Sequence, residues 1–186
     1  MVRNTGKWVL GEPTQAFLIS LDISGFTKDV KTDRLFHLRH GFLHSVSKTR
    51  LLRSHSNSAR AHFLGDELRI AFHVDVGVAA VRDFIIDLFN DLEQVNRTEP
   101  VEHQVRLRTV VLAGPVIWSH WHGCYFLDGQ LPSKAQYWMN QLAPSEIAAD
   151  HTFKTYLDVG GLSTNLTPRE IRGEGAYILS TGQKSG

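Results

Sequence analysis

A chain of 186 residues, 42% apolar and 21% charged, has the composition of one globular domain able to bury its own core. Its formal net charge of +1 excludes wholesale electrostatic binding of nucleic acid. Its one cysteine, Cys124, excludes an internal disulfide framework, and no apolar run approaches the ~20 residues of a membrane span.

The opening MVRNTGKWVLGEP is basic but lacks the apolar run of a secretory signal, so the cytoplasm is the expected compartment. Residues 1–14 read as a lead-in, 15–180 as the domain and 181–186 as a tail. In residues 16–23, AFLISLDI, alternation puts Phe17, Ile19, Leu21 and Ile23 on one face of a strand that runs into a Ser-Gly turn. Residues 33–52 carry Leu35, Leu38, Phe42, Leu43 and Val46 at helical spacing. Residues 59–74 read as two short strands joined at Gly65-Asp66.

The strongest amphipathic helix spans 76–95, with Val81, Phe84, Ile85, Leu88, Phe89, Leu92 and Val95 on one stripe. Residues 104–112 alternate as a strand, which Gly114-Pro115 is expected to stop. Residues 133–150 read as a third helix, interrupted near Pro144. A strand or hairpin over 169–179 closes the series. The order fits an α+β, ferredoxin-like fold: a mostly antiparallel sheet with helices on one face.

Two acidic residues stand where chemistry is favoured. Asp22 ends an apolar strand, and the Ser24-Gly25 turn behind it can aim backbone N–H groups at an anion. Asp66 occupies the tip of a tight hairpin. Each alone is ordinary turn chemistry. Two hairpin tips side by side would attract divalent cations, and two cations can clamp a triphosphate.

The segments LISLDISGFTK, HFLGDELRIAF, VRLRTVVLAGPV, FLDGQLPSKAQYWMNQL and IRGEGAYIL resemble, in order, five motifs of the class III nucleotide cyclases. The resemblance covers residues 17–179 and implies the class III cyclase fold. It makes Asp22, Asp66 and the Ile23 carbonyl ligands of two divalent ions, Mn²⁺ or Mg²⁺. Gly25, Phe26 and Thr27 match the triphosphate loop, and Arg172 matches a lysine that meets the terminal phosphates. It also implies a homodimer with shared, head-to-tail active sites; the net charge and the lack of a long apolar run argue for no nucleic-acid or membrane partner.

Four positions depart from the family pattern. His62 replaces the lysine that reads adenine, and Phe126 replaces its aspartate partner. Ser133 stands for the ribose asparagine, and Tyr137 for the arginine that stabilises the transition state. Larger groups at His62 and Phe126 would shrink the pocket toward a one-ring base. The chain is in this respect similar to the stand-alone pyrimidine cyclases of bacterial antiphage defence, which implies UTP or CTP as substrate. An inactive cyclase-like binding or regulatory module is the alternative, because loss of a transition-state arginine can cost orders of magnitude in rate. Arg50, Arg97, Arg106, Arg108 and Lys134 are candidates to supply the missing charge. A related GGDEF-type polymerase domain would need a second glycine where Leu64 stands.

Other residues take plainer readings. Trp118, His120, Trp121 and His122 read as a packed loop, since the spacing fits no zinc pattern. Cys124 reads as a packed thiol. The basic set Lys48, Arg50, Arg53, His55 and Arg60 reads as a solvated face, and Glu67 as a solvated neighbour of Asp66.

Overall fold

The structure, a computed structural model, describes residues 8–24, 32–162 and 166–179, and the side chains of all of these but 32–38 and 102. One eight-stranded sheet organises them. Its central strand β1 (Pro13–Ile23) lies between β3 (Glu67–His73) and β4 (Leu107–Trp121), antiparallel to both. β2 (Ala59–Leu64) forms one edge as the hairpin partner of β3. On the other side β6 (Ile147–Asp150) runs parallel to β4, followed by β8 (Glu174–Leu179) and the edge strand β7 (Leu166–Ile171). β5 (Cys124–Asp128) pairs the far end of β4.

Two-residue alternation gives this sheet two apolar faces. Phe17, Ile19, Leu21 and Ile23 of β1 join Leu68, Ile70 and Phe72 of β3 under α1 (Thr32–Lys48), α2 (Arg50–Ser54) and α3 (Val78–Thr98). Six of the seven stripe residues of α3, Val81 to Leu92, are buried in this layer. α5 (His151–Val159) adds Phe153 and Leu157 to it. The opposite face carries smaller residues, Ala16, Leu18, Ala71, Ala148 and Ala176, and admits α4 (Gln130–Met139) with Trp138 fully buried. Helices therefore cover both faces, not one. The alanines explain it: short side chains on β1, β3, β6 and β8 leave room for a close-packed helix carrying an indole.

Several sequence expectations shift. The helix read over 33–52 breaks at Thr49, whose backbone is extended (φ −59°, ψ 137°) and whose hydroxyl donates to the Val46 carbonyl at 2.7 Å. β4 runs through Gly114-Pro115 instead of stopping there. Pro115 falls between the stretch of β4 that pairs β6 (Thr109–Val111) and the stretch that pairs β5 (Ile117–Trp121), so its missing N–H spares both of those ladders. The helix read over 133–150 ends at Met139, and Ile147–Asp150 is a buried strand. A four-residue apolar run carries no periodicity to separate strand from helix. Asp150 then caps α5, accepting from the Phe153 N–H at 2.8 Å, a helix that the sequence reading missed.

The aromatic segment also differs from expectation. Trp118, His120, Trp121 and Cys124 belong to the β4–β5 hairpin, with His122-Gly123 as its turn, and do not form a packed loop. Trp121 is 70% exposed, and the Cys124 thiol is exposed. No helix of the described residues is long and apolar enough to cross a membrane.

Candidate functional site

The site begins where β1 ends. Asp22 is the cross-strand partner of Glu67 on one side and of Arg108 on the other. These three side chains share the α4-side face of the sheet, as does Arg69. Asp66 precedes Glu67 in the turn after Leu64, where Gly65 adopts φ 64° and closes the reversal. Three carboxylates thus crowd one end of the sheet.

The three are not equivalent. Glu67 is 8% exposed, so it is buried and not solvated as the sequence suggested. Its two oxygens accept a fork from Arg69, Nε at 2.7 Å and Nη2 at 3.0 Å, and Oε1 also accepts the Ser20 hydroxyl. A carboxylate so fully engaged is structural. Asp22 is 7% exposed, and Arg108 donates to its Oδ2 alone, from Nε at 2.8 Å and from Nη2. Burial raises the Asp22 carboxyl above its ordinary proton affinity. Arg108 opposes that rise, while the charges of Asp66 and Glu67 add to it. Asp22 therefore feels Asp66 electrostatically, which places both within one local field.

This donor set fits a hard divalent cation. Two mutually repelling carboxylates, Asp22 and Asp66, gain from a positive charge between them, and oxygen is the ligand such ions take. Glu67 cannot join without leaving Arg69 unpaired in a buried position. Consistent with that, no group of three or more His, Cys, Asp or Glu among the described residues is disposed to hold a metal. Gly25, Phe26 and Thr27 lie outside the described residues.

Beside the carboxylates, β2 presents His62 opposite Arg69. The far half of β4 and β5 fold toward this edge, so that the Phe126 ring lies 6.3 Å from the His62 ring, centroid to centroid. Arg60, read as solvated, instead lies over the Trp8 and Trp118 rings at 5.7 and 5.9 Å. The Nδ1 of His62 is buried and has no hydrogen-bond partner. Burial first, and Arg69 second, lower the imidazole's proton affinity. His62 is therefore neutral near pH 7, with one ring nitrogen a donor and the other an acceptor.

Arg172 and Tyr137 are elsewhere. Strand register fixes how far. Asp22 pairs Arg108, one residue before the β4 segment that meets Ile147 of β6; Ile147 pairs Leu179, and Leu179 pairs Leu166. The Asp22 end of the sheet is thus the Leu166 end of β7. Arg172 follows Ile171 at the opposite end, about 20 Å along the strand direction. There Arg172-Gly173 forms the two-residue hairpin turn, with Arg172 at φ 52°. That conformation is uncommon outside Gly, Asn and Asp. The guanidinium lies over the Tyr137 ring at 4.0 Å. Ser133, on the same helix, is exposed and donates to the Gly129 carbonyl at 3.3 Å. Lys134 bonds Glu174 at 2.6 Å and covers the Trp138 ring at 4.5 Å.

The structure therefore makes two groups of the expected residues. Asp22, Asp66, His62 and Phe126 stand toward the β2–β3 side, and Arg172, Tyr137 and Ser133 gather on α4 and the β7–β8 hairpin. The sequence reading passed over Ser20 and Arg69 and named Arg108 only for its charge. The alternation of β1, β3 and β4 could have found all three, since each is a polar residue at a position of inward parity on an otherwise apolar strand.

No family model and no curated protein sequence matches this chain. Solved structures do. The guanylyl cyclase domain of the RhoGC fusion protein from the aquatic fungus Blastocladiella emersonii superposes with a TM-score of 0.71 at 12% identity, over 92% of this chain and 98% of that one. A bacterial light-regulated adenylyl cyclase superposes with a TM-score of 0.75 at 16% identity, over 96% of this chain and 55% of its own. The adenylyl cyclase CyaB from P. aeruginosa gives 0.64 at 16% identity, over 94% and 98%. The chain has the fold of the class III adenylate and guanylate cyclase domains.

Proposed function

We propose that this chain is a nucleotide cyclase that converts a pyrimidine nucleoside triphosphate, UTP or CTP, to its 3′,5′-cyclic monophosphate and pyrophosphate. The observation that carries the reading is the pair Asp22 and Asp66, coupled at one end of a cyclase-type sheet, with Arg108 on one oxygen of Asp22. Asp22 and Asp66 would hold the divalent ions, Mg²⁺ or Mn²⁺, with the Ile23 carbonyl as a further ligand. When bound, such ions polarise the triphosphate and lower the pKa of the attacking ribose hydroxyl.

The chain's own residues supply the rest. The ribose 3′-oxygen bonds to the α-phosphorus, its proton passes to water, and the bond to pyrophosphate breaks. Arg172 offsets charge on the phosphates through its guanidinium fork. Tyr137 holds that guanidinium from below and offers a hydroxyl to a ribose or phosphate oxygen. His62 and Phe126 flank the base; a neutral imidazole can donate to a pyrimidine carbonyl, and the ring beside it narrows the space for a purine. Ser133 faces the ribose.

Arg172 sits too far along the sheet to serve Asp22 of its own protomer. That separation supports a homodimer in which each site takes its carboxylates from one protomer and Arg172, Tyr137 and Ser133 from the other. In this reading the cyclic pyrimidine nucleotide is a second messenger, and antiphage defence is the setting we propose for it.

One observation favours a second reading. Arg108 already neutralises Asp22, and a tyrosine stands where a transition-state arginine would act. An inactive nucleotide-binding module could rest in that state. Incubation of the purified chain with Mn²⁺ and each of the four triphosphates separately, with products read by mass spectrometry, decides. A cyclic uridine or cytidine product is expected. A purine product alone would remove the base-pocket reading, and no product from any of the four would favour the binding module.

A further inference from the structure

His62 and Arg69 face each other across the β2–β3 hairpin, on the side of the sheet that carries Asp22. Directly paired residues of antiparallel strands bring their Cβ atoms to about 5 Å. Arg69 is 5% exposed. Its Nε and Nη2 are spent on Glu67, which the Ser20 hydroxyl braces in turn. Its Nη1 donates to nothing among the described residues and, unlike the Nδ1 of His62, is not sealed from solvent. A guanidinium so nearly buried rarely leaves N–H groups unpaired.

His62 adds a second donor. Its Nδ1 is sealed and without a partner. A sealed N–H without a partner is rarer than a sealed acceptor without one, so the proton of the neutral ring sits on Nε2, the nitrogen that reaches outward. Two donors therefore stand side by side, with the Phe126 ring as the opposite wall.

These donors bring no net charge with them. Glu67 neutralises Arg69, and His62 is neutral. Arg60, the next residue of this face on β2, has turned its guanidinium onto the Trp8 and Trp118 rings and the Ala59 carbonyl. Asp66, on the turn beyond, repels an anion. A phosphate is thus a poor match for this wall, and a neutral carbonyl oxygen with two lone pairs is a good one. Uracil carries such an oxygen at C4, where cytosine carries an amino group that can only donate.

We propose that Arg69 reads the base, and that its Nη1 and the Nε2–H of His62 converge on the uracil C4 oxygen and so select UTP over CTP. The inference rests on the cyclase reading for the class of ligand and goes beyond it in naming the base and the residue. In cytosine the amino group would meet two donors, and a buried donor left without an acceptor is what such a site rejects most strongly.

Calorimetric titration of the full-length chain with Mg²⁺ and 3′-deoxy-UTP, 3′-deoxy-CTP or 3′-deoxy-GTP tests this, because these probes lack the attacking hydroxyl and cannot cyclise. The uridine probe is expected to bind about ten-fold or more tighter than either of the others, the worth of one charge-assisted hydrogen bond. Arg69→Met combined with Glu67→Gln removes both charges together and should bring the uridine and cytidine probes to near-equal affinity, chiefly by weakening the first. A merely structural Arg69 would weaken both alike. Should that double variant fail to fold by circular dichroism, His62→Ala decides, with a several-fold loss of the preference expected. Equal affinity for the uridine and cytidine probes in wild type, tightest binding of the guanosine probe, no binding of any probe, or a preference unchanged in the variant that folds would overturn the proposal. A uridine preference without any cyclic product from UTP would leave it standing and sink the cyclase reading instead. Equal turnover of UTP and CTP to cyclic products would do the reverse.

Discussion

Two ends of one sheet carry the candidate chemistry, and they are built differently. At the Asp22 end, charge is held by strands: Asp22, Glu67, Arg69 and Arg108 project from β1, β3 and β4, all buried or half-buried. At the Arg172 end, charge sits on an exposed turn and one helix face, and Arg172 rests on a half-exposed Tyr137. Strands fix a donor set for an ion that tolerates little displacement. A turn and a helix face can close on a partner. The difference suggests that one end is complete in the protomer and the other awaits a second copy.

The sharpest way to break this comparison is a mixing experiment. Asp66→Ala alone and Arg172→Ala alone should each lose about 1,000-fold or more in kcat, as expected when a metal carboxylate or a phosphate-stabilising arginine is removed. Mixed in equal amounts under subunit exchange, they should regain about a quarter of the wild-type rate, because half of the dimers then hold one intact site of two. Recovery of nothing, with both variants dimeric by light scattering, would mean that the two ends do not serve one site.

Within the Asp22 end, Glu67 and Asp22 sharpen the contrast between structure and chemistry. Glu67→Ala leaves Arg69 buried and unpaired and should cost about 3–5 kcal/mol in urea unfolding. Glu67→Gln retains an acceptor for Ser20 and Arg69 and should cost less. If Glu67→Ala unfolds no more easily than wild type, the bidentate fork is not what holds the β3 end in place.

At the Arg172 end the expected effects are smaller. An exposed cation–π contact is worth about 0.5–1 kcal/mol, so Tyr137→Leu should slow turnover only about two- to five-fold if the ring merely positions the guanidinium. Tyr137→Phe keeps the ring and loses the hydroxyl. A loss of 100-fold or more in that variant would put the hydroxyl itself on a reacting oxygen. Arg172→Gly relieves a left-handed φ and should leave the melting temperature unchanged or higher while activity falls. Lower stability in that variant would show that the arginine holds the hairpin.

The strands are legible because Phe17, Ile19, Leu21 and Ile23 recur at every second position of β1 and Gly65-Asp66 marks the turn between β2 and β3, and α3 because its apolar stripe is long. Asp22 and Asp66 were visible as acids at strand ends. Glu67 differs from the sequence expectation because its burial depends on more than its local partner: Arg69 lies two residues on, but Ser20 of β1, which also donates to it, lies 47 residues away in sequence. A buried charge looks like a surface charge until its partner is known. The same holds for the two-faced sheet, where Ala16, Ala71, Ala148 and Ala176 mark the room for α4 only once β1, β3, β6 and β8 stand side by side. Cys124 and Trp121 are expected to be packed because such residues usually are, and the β4–β5 hairpin carries both out into solvent, while Trp118 stays packed against the core.

The gentlest test concerns Asp22 itself. Burial holds its folded carboxyl above its unfolded value of 3.8, with Asp66 and Glu67 adding to the rise. The folded state therefore binds this proton more tightly than the unfolded chain does. Below the unfolded value both states are protonated and the group is neutral to stability. As pH rises from there through the folded value, stability falls, and the deficit is complete at neutral pH. Asp22→Asn removes the ionisation and keeps an oxygen for Arg108. Its melting temperature should exceed wild type at pH 7 and approach it near pH 4, while catalytic activity is lost at both. A carboxylate that weakens its own fold is one kept for a ligand, and Mg²⁺ or Mn²⁺ should raise the melting temperature of wild type but not of the variant. If the variant is instead less stable at pH 7, the Arg108 pair outweighs burial, and Asp22 belongs with Glu67 among the structural carboxylates.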